Sequence, residues 1–330
     1  MKTFESWLDS VHEIHQIVQE RAPDAPIVGI KPFFREESAV SVIHPIDLSL
    51  WTDPVSASVQ DAATEALESG CVLFLPNLRF ELNDNEREFL TPSIVGKSKN
   101  VSYDPSSGKV GGTNVAAMKV HELRALLDRY AAATRNLVES LLPAYRGGIE
   151  QARSSLRPVE VAGRRQSWRK DDTRLHVDSF PATPSNGKRI LRVFSNVNPD
   201  GRPRVWKVGE PFDVVARRFW SGLRAPLWGE RELLAAVRVT KAIRTKYDHY
   251  MLKLHDAMKC DPQYQSQFEG ATVPFPAGST WVCFTDQVSH AAVSGVHQLE
   301  QTFSVDVTCL RNPATAPLHV LENLAGRKLA

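Results

Sequence analysis

The sequence predicts an α+β protein with a double-stranded β-helix (jelly-roll, cupin-like) core, N-terminal helices ahead of it and a helical insert within it. Three observations predict this. Residues 1–155 read mainly as helices, with the first strands among them. Residues 156–310 then become a series of short segments rich in Val, Phe, Thr and Trp, separated by the turn sequences Asn198-Pro199-Asp200-Gly201 and Pro276-Ala277-Gly278. No Gly-x-Gly-x-x-Gly and no Walker loop is present, which argues against a doubly wound nucleotide fold.

The elements follow in order. Phe4, Trp7, Leu8, Val11, Ile14 and Val18 recur at helical spacing, so residues 3–21 are expected to form an amphipathic helix packed on the core. A second helix spans 55–69 and stops at Gly70. Gly70 to Pro76 is a short buried strand closed by proline. Residues 118–142 are the clearest helix, with Leu123, Leu127, Tyr130, Leu137 and Leu141 on one face. Strands are expected at Val159–Val161, Lys188–Asn198, Arg204–Val208, Ser279–Thr285 and Gln298–Leu310. The helical insert covers about 211–260; its stripe of Tyr247, Tyr250, Met251, Leu254 and Met258 is expected to be core, with His249, Lys253 and Lys259 off it and placed to line a substrate cleft. Residues 311–330 form a C-terminal tail. No linker or repeat divides the chain, so 1–330 is read as a single domain.

Hydrophobic residues at 42% and charged residues at 24% describe an ordinary globular protein. A net charge of +2 offers no global field for nucleic acid, so no such partner is expected. Cys71, Cys260, Cys283 and Cys309 form no Cys-x-x-Cys pair and are expected as free thiols in a reducing compartment. The start of the chain lacks an apolar signal region, and no apolar run is long enough to cross a membrane. A cytoplasmic protein is expected, with peripheral membrane contact left open. Oligomeric state is not legible.

His176-Val177-Asp178 carries the chemistry. In a strand, residues i and i+2 face the same way, so His176 and Asp178 can point into one cavity. His290 follows the apolar strand Ser279–Thr285 and precedes the turn at Ser294-Gly295, where a jelly roll would return it to the pair. Two imidazoles and one carboxylate are the ligand set of a non-haem iron(II) oxygenase, with positions left for a co-substrate and dioxygen. The tripeptide is short enough to arise by chance, so its β-rich surroundings matter. His297 is the rival third ligand.

A 2-oxoglutarate co-substrate chelates iron through its keto-acid end and needs a buried cation for its far carboxylate. Many oxygenases place an Arg or Lys about ten residues after the last His, but residues 291–310 contain neither. Arg192 shares an inward face with Ile190 and Phe194, and a buried Arg needs an anion. Arg192 is therefore the expected anchor, with Thr173 and Tyr103 as hydroxyl contacts.

Longer segments carry a resemblance. Ser167 to Asp178, Arg189 to Phe194, Asn196 to Pro199, Pro203 to Trp206, Tyr247 to His255 and Thr285 to His290 resemble Kdo hydroxylases, over about Gly70 to Leu310. The resemblance implies an iron(II)- and 2-oxoglutarate-dependent dioxygenase that hydroxylates C3 of Kdo, the acidic eight-carbon sugar of the lipopolysaccharide inner core, to give Ko. It carries the iron ligands to His176, Asp178 and His290. The implied partner is Kdo-lipid A or a core saccharide, met at the cytoplasmic face of the inner membrane. Arg164, Arg165, Arg169, Lys170 and Arg174 precede the metal pair, and Arg169, Lys170 and Arg174 are expected to contact acidic groups of that substrate. Two other readings stay open here: a JmjC-like oxygenase of protein side chains, and a non-catalytic sugar- or lipid-binding jelly roll. A zinc hydrolase is a weaker third.

Overall fold

Inward and outward residues alternate along the strands, and this alternation builds two layers. The computed structural model describes residues 42–330 apart from Lys97 and Arg165, so the helix expected over 3–21 lies outside the described residues. In strand β9 (Thr280–Phe284), Trp281 and Cys283 face one core while Val282 and Phe284 face another. In β6 (Arg189–Asn196), Phe194 joins the first core, and Leu191 and Val193 join the second.

The remaining strands are β1 (Ile43–Pro45), β2 (Val72–Leu75), β3 (Val101–Asp104), β4 (Lys109–Gly111), β5 (Ile149–Arg157), β7 (Arg204–Val208), β8 (Ala271–Phe275), β10 (His290–Ser294) and β11 (Gln298–Val305). A large sheet runs β1-β2-β9-β6-β11-β5-β3-β4, and a small one runs β10-β7-β8. His176 adds an isolated antiparallel bridge to His290 at the free edge of β10. From β5 through the His176 segment to β11, the chain passes back and forth between the sheets. That path is a double-stranded β-helix.

Aromatic rings fill one end of the space between the sheets. Phe275 and Trp281 stack at 4.1 Å, and Phe194 and Trp206 pack against Trp281. Such large rings bury much of the apolar area available to a core. The outer face of the large sheet is covered by helices Ala57–Glu68 and Ala117–Leu141, the first capped by the Ser56 side chain. The insert forms helices Phe212–Trp220, Glu230–Ala236 and Lys246–Cys260. Tyr247, Tyr250, Met251, Leu254 and Met258 are buried, as expected, in a cluster with Leu175 and Val177. The last insert helix thus braces the segment that carries His176 and Asp178.

Some expectations need correction. Val159–Val161 is a turn region; the strand is β5, whose inward Arg157 and irregular burial hide its alternation. Gln298–Leu310 ends as a strand at Val305, after which Val307–Cys309 forms a single 3₁₀ turn capped by Asp306. Within the expected tail, Pro317–Ala325 is a helix.

Candidate metal centre

Backbone pairing fixes the register of the proposed ligands. The His176 amide donates to the His290 carbonyl at 3.0 Å, and the His290 amide returns a bond to His176 at 2.8 Å. The Asp178 amide donates to the Thr285 carbonyl at 2.7 Å. Val177 faces the apolar cluster instead, so its two neighbours point together into the barrel. Ligand atoms of His176, Asp178 and His290 converge within 4.8 Å of one another. His176 Nε2 and Asp178 Oδ1 are 3.6 Å apart.

Each imidazole is oriented through its other nitrogen. His176 Nδ1 lies 2.7 Å from the Arg174 carbonyl, and His290 Nδ1 lies 2.8 Å from the Val288 carbonyl. A carbonyl only accepts, so both rings carry their proton on Nδ1 and present a lone pair on Nε2. Trp206 stacks on the His290 ring at 5.0 Å, and His255 meets the His176 ring edge-on at 5.4 Å. Burial pushes His176 down to about 3 and lowers His290 as well. Both rings are therefore neutral near pH 7, the form a metal requires.

The carboxylate is set by opposing effects. Burial raises the Asp178 carboxyl, but the Arg192 guanidinium beside it holds it well below the usual range. Its Oδ2 is buried and accepts no hydrogen bond. A buried carboxylate whose Oδ2 lacks a hydrogen bond, beside two neutral imidazole nitrogens with free lone pairs, can take a metal cation. The donor set of two imidazoles and a carboxylate suits iron(II), so these residues fit that metal.

Behind the site runs a chain of ion pairs. Arg192 Nη1 lies 3.4 Å from Asp178 Oδ2 and 3.1 Å from Glu300 Oε1. Arg157 Nε is 2.9 Å from Glu300 Oε2, and its Nη1 is 3.3 Å from Asp172. Lys99 also reaches Asp172. Arg204 differs from these cations. It is 2% exposed, donates from Nη1 to the Gly295 carbonyl at 2.6 Å, and has no partner at Nε. No carboxylate among the described residues pairs with it. Burial, and then repulsion from Arg157, push it down to about 9.

Arg192 lies inside the barrel, as its face implied. Tyr103 does not: its ring packs under the helix Ala117–Leu141, on the other face of the sheet, and its hydroxyl donates to Asp128 at 2.7 Å. The Thr173 hydroxyl is taken up locally by Asp171 at 2.7 Å. Arg169 is exposed, lies over the Trp168 ring and pairs with Asp256 at 3.1 Å. Lys170 is exposed, and Arg174 is held by Asp171 and the Lys259 carbonyl. Arg165 lies outside the described residues. His297, the rival ligand, sits beyond β10 at positive φ and is not in the converging group. Sequence reasoning missed Arg157, Glu300, Arg204 and His255, whereas Lys259 was expected as a cleft residue and is buried. The spacing of His255 from Lys259, one helical turn, was the available signal for His255.

The chain matches the family described as 3-deoxy-D-manno-oct-2-ulosonic acid (Kdo) hydroxylase over residues 50–328. Among solved structures it is similar to the Kdo hydroxylase KdoO, a non-haem Fe(II) α-ketoglutarate-dependent dioxygenase, in complex with cobalt(II). That likeness has 46% identity and a TM-score of 0.86, and covers 88% of this chain and 97% of the other. The same enzyme with α-ketoglutarate and Fe(III) matches at 46% identity and a TM-score of 0.85, covering 87% and 97%. No curated protein matches the chain.

Proposed function

The chain belongs to the Kdo hydroxylase family, and on that premise we propose that it hydroxylates C3 of Kdo in the lipopolysaccharide inner core, with Kdo-lipid A as acceptor and Ko as product. It is an iron(II)- and 2-oxoglutarate-dependent dioxygenase. The observation that carries the site assignment is the convergence of His176, Asp178 and His290 within 4.8 Å, with both imidazole Nδ1 atoms tied to carbonyls.

Bound iron(II) supplies the oxidising chemistry, in which 2-oxoglutarate and dioxygen give succinate, carbon dioxide and one hydroxyl on the sugar. His176 and His290 hold the metal through Nε2, and Asp178 holds it through its carboxylate. Arg192 stays charged beside Asp178 and meets the keto-acid end of 2-oxoglutarate. Arg204, buried without a carboxylate, takes the far carboxylate. Lys259 is 1% exposed, and its ammonium donates to the Arg169 carbonyl at 3.1 Å. Its charge is felt by both His176 and His290, and it is our proposed contact for the Kdo carboxylate. The stacked rings around Trp281 exclude water from the other end of the barrel.

No helix of the described residues is long and apolar enough to cross a membrane. With a lipid-linked acceptor, we place the protein peripherally on the cytoplasmic face of the inner membrane, working as a single domain. Mass spectrometry of Kdo-lipid A after incubation with protein, iron(II), ascorbate and 2-oxoglutarate tests the reading. The expected product gains one oxygen at C3, and only when 2-oxoglutarate is present. Unmodified lipid alongside oxidation of a peptide would overturn it.

A further inference from the structure

The middle of the helical insert exposes apolar side chains that no core claims. Ten large hydrophobic residues are exposed among the described residues, and six of them fall between 227 and 243. Trp228 is 101% exposed, Leu227 77% and Leu233 62%, with Val237, Val239 and Ile243 beside them in sequence. The helix Glu230–Ala236 buries none of its residues. Scattered exposed hydrophobics need no explanation, but a cluster this dense marks an interaction surface.

Charge identifies the partner. Residues 221–246 carry six basic and two acidic residues. Arg224, Arg238 and Lys241 are exposed beside the apolar side chains. A second copy of the chain would set these cations against their own kind, which disfavours self-association through this face. An anionic lipid surface attracts them, and a Trp beside Leu and basic residues is the composition that seats at the headgroup level.

The same segment is tied to the metal centre. The Lys241 amide donates to the Ala182 carbonyl at 2.9 Å, and the Arg244 guanidinium donates to the Pro181 carbonyl. Pro181 and Ala182 are exposed and follow Asp178 closely in the chain. At the other end, His249 Nε2 bonds the Arg224 carbonyl at 3.0 Å. The patch therefore hangs on the strap that leads out from a proposed ligand.

We propose that residues 223–243 form a membrane-docking face that seats on anionic phospholipid headgroups and brings the strap beyond Asp178, and with it the metal centre, to the sugar of a lipid-borne acceptor. This rests on the lipid-linked acceptor proposed above.

Co-sedimentation of the full chain with vesicles tests it. One set is phosphatidylcholine alone, and the other holds equal parts phosphatidylcholine and phosphatidylglycerol. The wild type should bind the anionic set preferentially, and less so as salt rises. Leu227→Ser with Trp228→Ser, and separately Arg224→Glu with Lys241→Glu, should each weaken binding by about tenfold or more. Turnover of a deacylated, water-soluble Kdo saccharide should be unchanged in both, while turnover of vesicle-embedded Kdo-lipid A falls. Equal vesicle binding by wild type and variants overturns the proposal. So does a wild-type dimer in sedimentation velocity that Trp228→Ser dissociates, since a second copy then covers the face. If vesicle binding behaves as stated but no form oxidises the saccharide, the docking face stands and the assigned reaction fails.

Discussion

Glu300 Oε1 lies 3.1 Å from Arg192 Nη1 inside the barrel, with Arg157 on the other carboxylate oxygen. Glu300 stands ten residues after His290, where many oxygenases carry the cation that holds 2-oxoglutarate. An anion occupies that place here, and buried arginines stand instead on β5, β6 and β7 as Arg157, Arg192 and Arg204. Burial raises the Glu300 carboxyl, but Arg157 and Arg192 outweigh that and lower it. The carboxylate thus stays ionised and holds two guanidiniums in fixed places beside the proposed ligand Asp178.

Removing that carboxylate should be costly. Glu300→Ala leaves Arg157 and Arg192 buried without their shared anion, which predicts a loss of about 3 kcal/mol in unfolding free energy. Urea denaturation measures it. An unchanged midpoint would show that the pairs are replaced by water at little cost.

The ligand assignment makes a sharper claim. His176→Ala, Asp178→Ala and His290→Ala should each lose bound iron and all coupled turnover, while His297→Ala keeps both. Iron content and carbon dioxide release from 2-oxoglutarate are the readouts. Substantial hydroxylation by Asp178→Ala would falsify the triad.

Arg204 and Arg192 should separate kinetically. Arg204→Ala removes a charge-assisted contact to the far carboxylate, and the KM for 2-oxoglutarate should rise on the order of tenfold or more. Arg192→Ala should raise that KM too, and also weaken iron retention, because Asp178 loses its neighbouring cation. If only Arg192→Ala moves the KM, the anchor is Arg192 and Arg204 is structural.

Asp172 predicts a pH dependence. Burial raises its carboxyl, but Arg157 and Lys99 hold it below the usual range. A depressed folded value means its stabilisation is present above the unfolded value of about 4 and fades as pH falls through the lower folded value. Asp172→Asn should therefore melt below wild type at pH 7, with the gap narrowing as pH drops below about 4. A gap that stays constant from neutral to acid pH would mean that the ion pairs contribute nothing.

How much of this was legible follows from where each signal lies in the chain. β6, β7 and β9 were readable because Val, Phe and Trp alternate over most of their length. β8 contains Pro274, and β1, β3 and β4 are only three or four residues long, so none offers a period to detect. β5 hides behind Arg153 and Arg157. The proposed ligands stood out because His-x-Asp is local and His290 lies between an apolar strand and a turn. Arg157 and Glu300 look like solvated charges until strand register turns them inward. Tyr103 was misplaced for the same reason, since its face depends on which side of β3 meets the helix.

Lys259, set off the apolar stripe by helical spacing, shows what packing adds to the sequence. It ends the buried face of the helix Lys246–Cys260, one turn beyond His255, whose ring touches that of His176. A lysine this buried disfavours its own charge, and burial does lower its pKa, against the raising influence of Asp172 and Asp178. One hydrogen bond to the Arg169 carbonyl leaves two of its three donors for a ligand. On the proposed function, the carboxylate of an acidic sugar would supply the missing anion. Lys259→Met keeps the packing volume and removes the charge. The KM for the Kdo acceptor should then rise about tenfold or more, while the KM for 2-oxoglutarate stays put. A purely structural lysine would move both constants together or lower only the melting temperature. Either outcome would remove Lys259 from the substrate site.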